Sequence, residues 1–467
     1  MRGGRSFFVL LGVAAALGAY IYFVELERDP AGSAEKRDRV FALEGAKLEE
    51  LEVRAASGEV TTLKKDGEVW RIASPAGLDA DDTAVGSLVS TVESLEIQRT
   101  LEENPASVAP FGLEPPRLTV AIRAAGDTAL RRLHLGRKTP TGGDVYARVE
   151  GQPRLFLISA YLEESLNKTP FDLRDKAALK VDRIGVDVMA LESSGSPTLA
   201  FGRKGSEWRL TRPLDARADF SLVDNVIGRL AQARMKSIEP TPAGVKELSV
   251  AELKTYGLDK PQATATLGVG STRATLAIGT KRDETSVYAR DVSRPLVFTL
   301  DASLLDDFKL KPADLRKKDL FDFRSFTAIG LDLAHGKTTA TFAKEKEQPK
   351  EETGKDKPDE AAPPVEKWKL TRPAAKDVDQ SKMTDLLTTL SNLRADTFAD
   401  RAHAGGEELI VTARFGDAAS PRSEKVTFRK SGDTVHAILP GEPGAAVVSA
   451  SEFDKALALF KELAGTK

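Results

Sequence analysis

Apolar residues recur with helical spacing after three short stretches that each contain a tryptophan. In each stretch a proline lies five residues after the tryptophan, an aspartate lies eleven after it, and apolar residues follow at fifteen, eighteen, nineteen and twenty-two. This i, i+3, i+4, i+7 spacing predicts one buried helix face. The aspartate stands where a side chain caps a first helical turn. The three sets are Trp70, Pro75 and Asp81; Trp208, Pro213 and Asp219; and Trp368, Pro373 and Asp379.

Alternating apolar and polar residues before each tryptophan predict strands, as in Leu51-Glu52-Val53. Two further segments recur after the helix in the first two copies. Phe111-Gly112-Leu113 matches Tyr256-Gly257-Leu258, and Tyr146-Ala147-Arg148 matches Tyr288-Ala289-Arg290. The third copy lacks both segments. We therefore predict three tandem repeats whose third member has diverged furthest.

The N-terminus contains an uncharged, apolar run of eighteen residues, 7–24. At about 1.5 Å per helical residue this run is long enough to span a bilayer. Arg2 and Arg5 precede the run, which predicts a cytoplasmic N-terminus and an exported remainder. A cleaved signal peptide is the alternative, because small residues suited to processing occur within the run. We favour an uncleaved anchor, since apolar and aromatic residues continue beyond them.

These patterns predict an α+β fold: one N-terminal transmembrane helix followed by three tandem repeats, each a mainly antiparallel β-sheet with one or two packed helices. A Lys-, Glu- and Pro-rich stretch in the third repeat lacks the apolar residues that a core requires and is predicted to be a flexible insertion. The predicted segments are a cytoplasmic region at 1–6, a transmembrane anchor at 7–24, a linker at 25–40, repeat domains at 41–178, 179–322 and 323–467, and the insertion at 344–367.

Composition argues against several kinds of site. The formal net charge of -2 gives no basic field for nucleic acid, and the absence of cysteine excludes thiolate chemistry and disulfides. The four histidines have no paired spacing. Gly336-Lys337-Thr338 resembles part of a phosphate loop, but its flanks look like hairpin strands. We therefore assign no catalytic, cofactor-binding or metal-binding residue and expect no cofactor.

The two Tyr-Ala-Arg triplets are the candidate ligand or partner surface. Residues two apart on a strand point to the same face, so Tyr146 and Arg148, like Tyr288 and Arg290, could line a groove for an anionic or sugar ligand. The alternative is that they form cross-strand pairs that cover the sheet. For the tryptophans we favour a structural role, with each ring packed against the helix that follows it.

The repeated Trp-Arg-x-Thr-x-Pro stretch, the Tyr-Gly-Leu-Asp-x-Pro segment at 256–261 and the later Asp-Leu-Arg at 314–316 resemble the domain-of-unknown-function family 4340. The resemblance implies a bacterial envelope protein associated with ABC-type permease and ATPase subunits of the gliding-motility auxiliary kind. It implies no catalytic residues.

We therefore expect a membrane-anchored, extracytoplasmic, non-enzymatic protein that is an accessory or scaffold subunit of an ABC-type transport or gliding-motility-like envelope complex. Its expected location is the bacterial inner membrane, as a single-pass protein with most of the chain periplasmic or extracytoplasmic. Expected partners are the membrane, through the N-terminal helix, and an ABC-type permease or other envelope proteins, but not nucleic acid. The alternatives are a cell-wall or polysaccharide binding protein and a hydrolase that uses carboxylates remote in sequence.

Overall fold

The computed structural model describes residues 38–43, 47–75, 78–240, 247–347 and 365–465. Within these ranges the chain forms three antiparallel sheets. The chain also divides into two compact units, with the boundary between Lys176 and Ala177. The first unit contains the first sheet, and the second unit contains the other two.

The first sheet has eight strands in the order β3-β2-β1-β5-β6-β7-β8-β4. Its elements are Leu48–Arg54 (β1), Val60–Asp66 (β2), Val69–Ser74 (β3), Asp82–Glu93 (α1), Arg99–Glu102 (β4), the 3-10 helix Ala109–Phe111, Leu118–Ala124 (β5), Arg131–Lys138 (β6), Asp144–Val149 (β7), Leu155–Ser159 (β8), Leu162–Leu166 (α2) and Pro170–Leu173 (α3).

The second sheet repeats this order with one additional short edge strand, as β12-β11-β10-β9-β14-β15-β16-β17-β13. Its elements are Val188–Ser193 (β9), Leu199–Lys204 (β10), Glu207–Arg212 (β11), Ala216–Arg217 (β12), Phe220–Ala231 (α4), Ser237–Ile238 (β13), Val250–Thr255 (α5), Ala263–Val269 (β14), Thr272–Lys281 (β15), Ser286–Asp291 (β16), Phe298–Asp301 (β17), the 3-10 helix Ala302–Lys309 and Pro312–Leu315 (α6).

The third sheet has the same order again, β21-β20-β19-β18-β23-β24-β25-β26-β22. Its elements are Ala328–His335 (β18), Thr338–Glu347 (β19), Val365–Arg372 (β20), Lys376–Asp377 (β21), Gln380–Ser391 (α7), Ala395–Ala399 (β22), Glu407–Phe415 (β23), Arg422–Ser431 (β24), Thr434–Ile438 (β25), Ala445–Val448 (β26) and Ala450–Ala464 (α8).

In every repeat the helix that follows the tryptophan strand crosses one face of the sheet. In the first repeat, for example, α1 connects β3 to β4, and these strands lie at opposite edges. We call the helix-covered face the inner face and the opposite face the outer face. The apolar stripe of α1, Val85, Leu88 and Val92, is fully buried against the inner face. Burial of such a stripe is the main source of stability for a helix this short.

The predicted α+β fold class was wrong, because the described chain is mostly β. Each sheet of eight or nine strands carries one helix of twelve residues, and α8 is the other long helix in the described ranges. The remaining described α-helices have four to six residues. The helical spacing is the clearest periodic signal in the sequence, whereas each strand is short and produces only a weak signal. The predicted fold class therefore overestimated the helical share of the chain.

The transmembrane helix included in that fold class is also unsupported. None of the helices in the described ranges is long and apolar enough to cross a membrane, and the run 7–24 lies outside the described residues. Part of the predicted insertion belongs to the sheet instead, since 344–347 lie in β19 and 365–367 lie in β20. The repeat boundaries stay predictions.

Candidate functional site

The tryptophan of each repeat packs at the inner face beneath the start of the long helix. Trp208 is 3% exposed and Trp368 is 6% exposed, whereas Trp70 is half-buried. Each tryptophan pairs directly across the sheet with a basic residue, and these residues are Lys65, Arg203 and Lys344. The Lys344 ammonium lies 5.9 Å from the centre of the Trp368 ring, within the range of a cation-π contact.

The aspartates cap the long helices. Asp81, Asp219 and Asp379 each accept hydrogen bonds from backbone amides of the first turn, at 2.9–3.1 Å. These amides have no partner within the helix, so the carboxylate satisfies them. Each motif proline follows a cis peptide bond. The motif therefore leads the chain from the tryptophan strand into a capped helix, and its aspartate carboxylates are engaged in capping.

The two segments that recur after the helix meet on the outer face. The ring of Tyr146 packs against Phe111 with 4.9 Å between ring centres, and Tyr288 packs against Tyr256 at the same distance. A β-carbon at Gly136 would overlap the Phe111 carbonyl oxygen, as one at Gly279 would overlap that of Tyr256. Close approach of the backbone thus requires glycine at these positions. Sequence reasoning treated the two segments separately, and the structure brings them together.

The arginines of the triplets differ in their surroundings. Arg290 donates a hydrogen bond to the carbonyl oxygen of Val292 at 2.8 Å. Arg148 lies next to His134 in the cross-strand register. The buried Nε of Arg148 and that of Arg290 both lack a hydrogen-bond partner among the described residues. The role of Tyr146, Arg148, Tyr288 and Arg290 as a ligand or partner surface stays a prediction.

The third repeat has a histidine pair where the others have an aromatic pair. One register position is occupied by an alanine in all three sheets, namely Ala147, Ala289 and Ala437. His436 directly precedes Ala437 and is therefore equivalent to Tyr146. His403 stacks on His436 with 4.1 Å between ring centres. The backbone amide of His403 donates to His436 Nδ1 at 3.0 Å. The sequence signal was Val435-His436-Ala437, which matches Val-Tyr-Ala of the other copies.

Charged groups surround this histidine pair. Arg429 follows Phe428, the equivalent of Leu135, and so stands where the first repeat has Gly136. Its guanidinium donates to the carbonyl oxygen of His403 at 3.3 Å and to Glu408 at 2.9 Å. Burial lowers the pKa of His436, and the neighbouring His403 lowers it further. Since Nδ1 must accept a hydrogen bond, the stacked arrangement requires neutral His436.

We expect the third repeat to lose stability as the pH falls below about 6.5, the ordinary value for histidine. His436 has a lower pKa in the folded state than in the unfolded state, so the unfolded state binds more protons in that interval. Stability is therefore full above the unfolded pKa and falls as the pH approaches the folded one. Urea unfolding of the full chain from pH 7.5 to 5 tests this, with His436→Tyr as the control. An equal slope in both proteins would contradict the prediction.

The second and third repeats are joined by a cluster of charged residues. Glu442, in the turn between β25 and β26, accepts hydrogen bonds from the backbone amide of Arg217 at 3.0 Å and from Arg209 at 3.3 Å. Arg316 lies over the Phe398 ring at 3.8 Å and donates to the carbonyl oxygen of Pro443 at 3.1 Å. Burial lowers the pKa of Arg316. These contacts connect the second repeat with the turn between β25 and β26 and with β22 of the third repeat.

Two large apolar side chains are exposed at equivalent positions of these joined repeats. Ile184 is 86% exposed and Phe326 is 77% exposed. Ile184 lies five residues before Met189, and Phe326 lies five residues before Leu331. Met189 and Leu331 occupy equivalent register positions in the second and third sheets. Ile184 borders a cavity of about 300 Å³ that reaches Trp208. Sequence analysis did not identify this pair. The available signal was that both residues lie outside the periodic apolar stretches.

The other sequence features that could indicate chemistry take part in structural contacts. Gly336 lies in the turn between β18 and β19, so the stretch that resembles a phosphate loop is a β-hairpin. His335 pairs with Glu407 at 2.8 Å. Within the described ranges no group of three or more potential ligand side chains is placed to hold a metal ion.

The model of one protein family matches the chain twice in succession. Its description is Domain of unknown function (DUF4340), and the matches cover residues 70–207 and 208–409, which is more than half of the chain. Each match begins at a motif tryptophan, Trp70 or Trp208, and the second continues beyond Trp368 into the third repeat. A search of curated proteins gave no match.

Proposed function

We propose, from the premise that this chain belongs to the domain-of-unknown-function family DUF4340, that it is a non-enzymatic scaffold that binds partner proteins. The observation that carries the proposal is the pair of exposed apolar side chains, Ile184 and Phe326, at equivalent positions of two joined repeats. Exposed apolar surface is unfavourable in water, and its burial contributes about 25 cal/mol per Å². A partner that covers both side chains at once gains from each of them.

The contacts between the two repeats support a scaffold role. Glu442 and Arg316 connect the second and third sheets through hydrogen bonds and a cation-π contact. A partner with two matching apolar positions therefore binds without first ordering the repeats, which lowers the entropic cost of binding.

The partner in this proposal is an ABC-type permease or another envelope protein. This part rests on the resemblance in sequence, since the family description names no activity or partner. The extracytoplasmic location rests on residues 1–37, which lie outside the described ranges, and it stays a prediction. Polysaccharide binding and carboxylate-based hydrolysis also stay alternative predictions, and Tyr146 and Tyr288 are already stacked against Phe111 and Tyr256.

Affinity purification of the full chain from detergent-solubilised cells tests the proposal. We expect permease peptides to be recovered with the unmodified protein and at least about tenfold less with the double variant Ile184→Asp, Phe326→Asp, because two carboxylates would then be buried in the interface. Tyr161→Asp is the matched control, since Tyr161 is 76% exposed but lies in the first repeat.

Two results would overturn the proposal. Recovery of wall polymer without any permease would favour the polysaccharide alternative. Equal recovery of permease from the double variant and the Tyr161→Asp control would show that the apolar pair is not the binding surface.

A further inference from the structure

One row of residues across the outer face of the first sheet carries two arginines and no acid. In the cross-strand register Arg54 pairs with Thr119, Thr119 with His134, and His134 with Arg148. All four side chains lie on the outer face, because the residues that alternate with them, such as Val53 and Val120, are buried at the inner face. Neighbouring strands are about 4.8 Å apart, so the two arginine backbones are separated by about 14 Å.

The neighbouring arginines on this face are neutralised. Arg123 lies 2.7 Å from Glu50, Arg132 lies 3.1 Å from Glu150, and Arg117 forms an ion pair with Glu163. Arg54 and Arg148, by contrast, form no ion pair with the described residues. The row therefore contains two arginines without an ion pair, whereas the three arginines beside it are paired.

The polar groups between the two arginines are hydrogen-bond donors that suit an oxyanion. The Nε of Arg148 is buried without a hydrogen-bond partner, as is that of Arg290 in the second repeat, and leaving such a charged donor unsatisfied is costly. His134 is half-buried. Burial lowers its pKa, the nearby Glu150 carboxylate opposes this effect, and the charges on Arg148 and Arg132 lower the pKa further. Its neutral ring still has one N–H to donate, and the Thr119 hydroxyl supplies another donor.

The other repeats have lost this row while keeping the fold. The equivalent residues are Glu192, Thr264, Ala277 and Arg290 in the second repeat, where a carboxylate replaces the first arginine. In the third repeat they are Ala334, Ile410, Thr427 and Ile438, with no charge at all. Because all three repeats fold with the same strand order, the sheet itself does not need two arginines here.

We propose that Arg54, Thr119, His134 and Arg148 form a binding site for a phosphate-type oxyanion on the outer face of the first repeat. Guanidinium groups approach from both ends of the row, and the hydroxyl and imidazole lie between them. A row of two guanidinium groups, an imidazole and a hydroxyl offers more donors than the two oxygens of a single carboxylate can accept, and so suits a dianion with several acceptor oxygens. This site lies on a different repeat from the apolar pair and does not depend on the proposed scaffold role.

Titration calorimetry of the full chain with inorganic phosphate, at constant ionic strength and pH 7.5, tests the site. We expect saturable binding that is weakened about tenfold or more in Arg148→Gln and in Arg54→Gln, the expected range for loss of a charge-assisted hydrogen bond. Arg54 is exposed at the end of β1, so its variant tests the site even if Arg148→Gln does not fold. Arg290→Gln is the matched control and should bind like the unmodified protein.

Histidine NMR locates the bound ion, because the chain has four histidines. Phosphate should raise the pKa of His134, since a nearby negative charge favours the imidazolium, and should leave His335 unchanged. Absence of saturable phosphate binding, equal weakening in Arg290→Gln, or binding of acetate as strong as that of phosphate would each overturn the proposal.

Discussion

Replacing Trp208 with alanine is expected to lower the free energy of unfolding by about 3–5 kcal/mol, as for other large aromatic residues removed from cores. The ring is 3% exposed, lies on β11 and packs between the sheet and α4. Truncation removes these contacts and leaves a cavity that adjoins the existing one beside Ile227. Urea unfolding of the full chain, followed by circular dichroism, measures the loss.

Trp70→Ala provides the comparison, since Trp70 occupies the same motif position but is half-buried. Trp70→Ala should lower the free energy of unfolding less than Trp208→Ala does, because the half-buried ring removes less apolar surface from water. Similar costs for the two variants, or an unchanged transition for Trp208→Ala, would mean that the tryptophan does not act through burial.

Local signals in the sequence predicted the helices and their starts well. The spacing after each tryptophan identified α1, α4 and α7, and Asp81, Asp219 and Asp379 cap them as predicted. These features depend on residues within two helical turns of one another. Helix periodicity and capping are short-range effects, so one sequence is sufficient to find them.

Features that depend on register across the sheet could not be predicted in this way. The stack of Phe111 on Tyr146 joins residues from separate segments, and the row from Arg54 to Arg148 crosses four strands. A shift of one residue in any pairing would move a side chain to the opposite face. The Tyr-Ala-Arg triplets thus indicated a shared face, but the stacking partner of the tyrosine and the environment of the arginine required the complete sheet.

The charged junction in the second unit was missed for a related reason. Glu442 lies in an unremarkable turn sequence, Pro440-Gly441-Glu442-Pro443, and its partner Arg217 is more than 200 residues away. Nothing local distinguishes this glutamate from a solvated one. Its side chain is nevertheless only 11% exposed, because the second repeat covers it.

Replacing Glu442 with alanine is expected to lower the free energy of unfolding by about 3 kcal/mol, since loss of one partner leaves the other charges buried and unpaired. The backbone amide of Arg217 would lose its acceptor, and Arg209 and the buried Arg316 would lose their nearby negative charge. Glu442→Gln should cost less, because an amide oxygen can still accept the Arg217 hydrogen bond. The difference between the two variants therefore separates the contribution of the hydrogen bond from that of the charge.

Tryptophan fluorescence during urea unfolding measures this coupling in a Trp70→Phe background, because Trp208 and Trp368 then report on the second and third repeats. One shared transition in the background protein should separate into two in Glu442→Ala, since the repeats would no longer stabilise each other. Asp454→Ala is the control, because the Asp454 side chain is 50% exposed in its pair with Lys430 and such surface pairs contribute less than about 1 kcal/mol. If Glu442→Ala resembled Asp454→Ala in midpoint and shape, Glu442 would not couple the two repeats, and their coupling would have to come from other contacts such as the packing of Arg316 on Phe398.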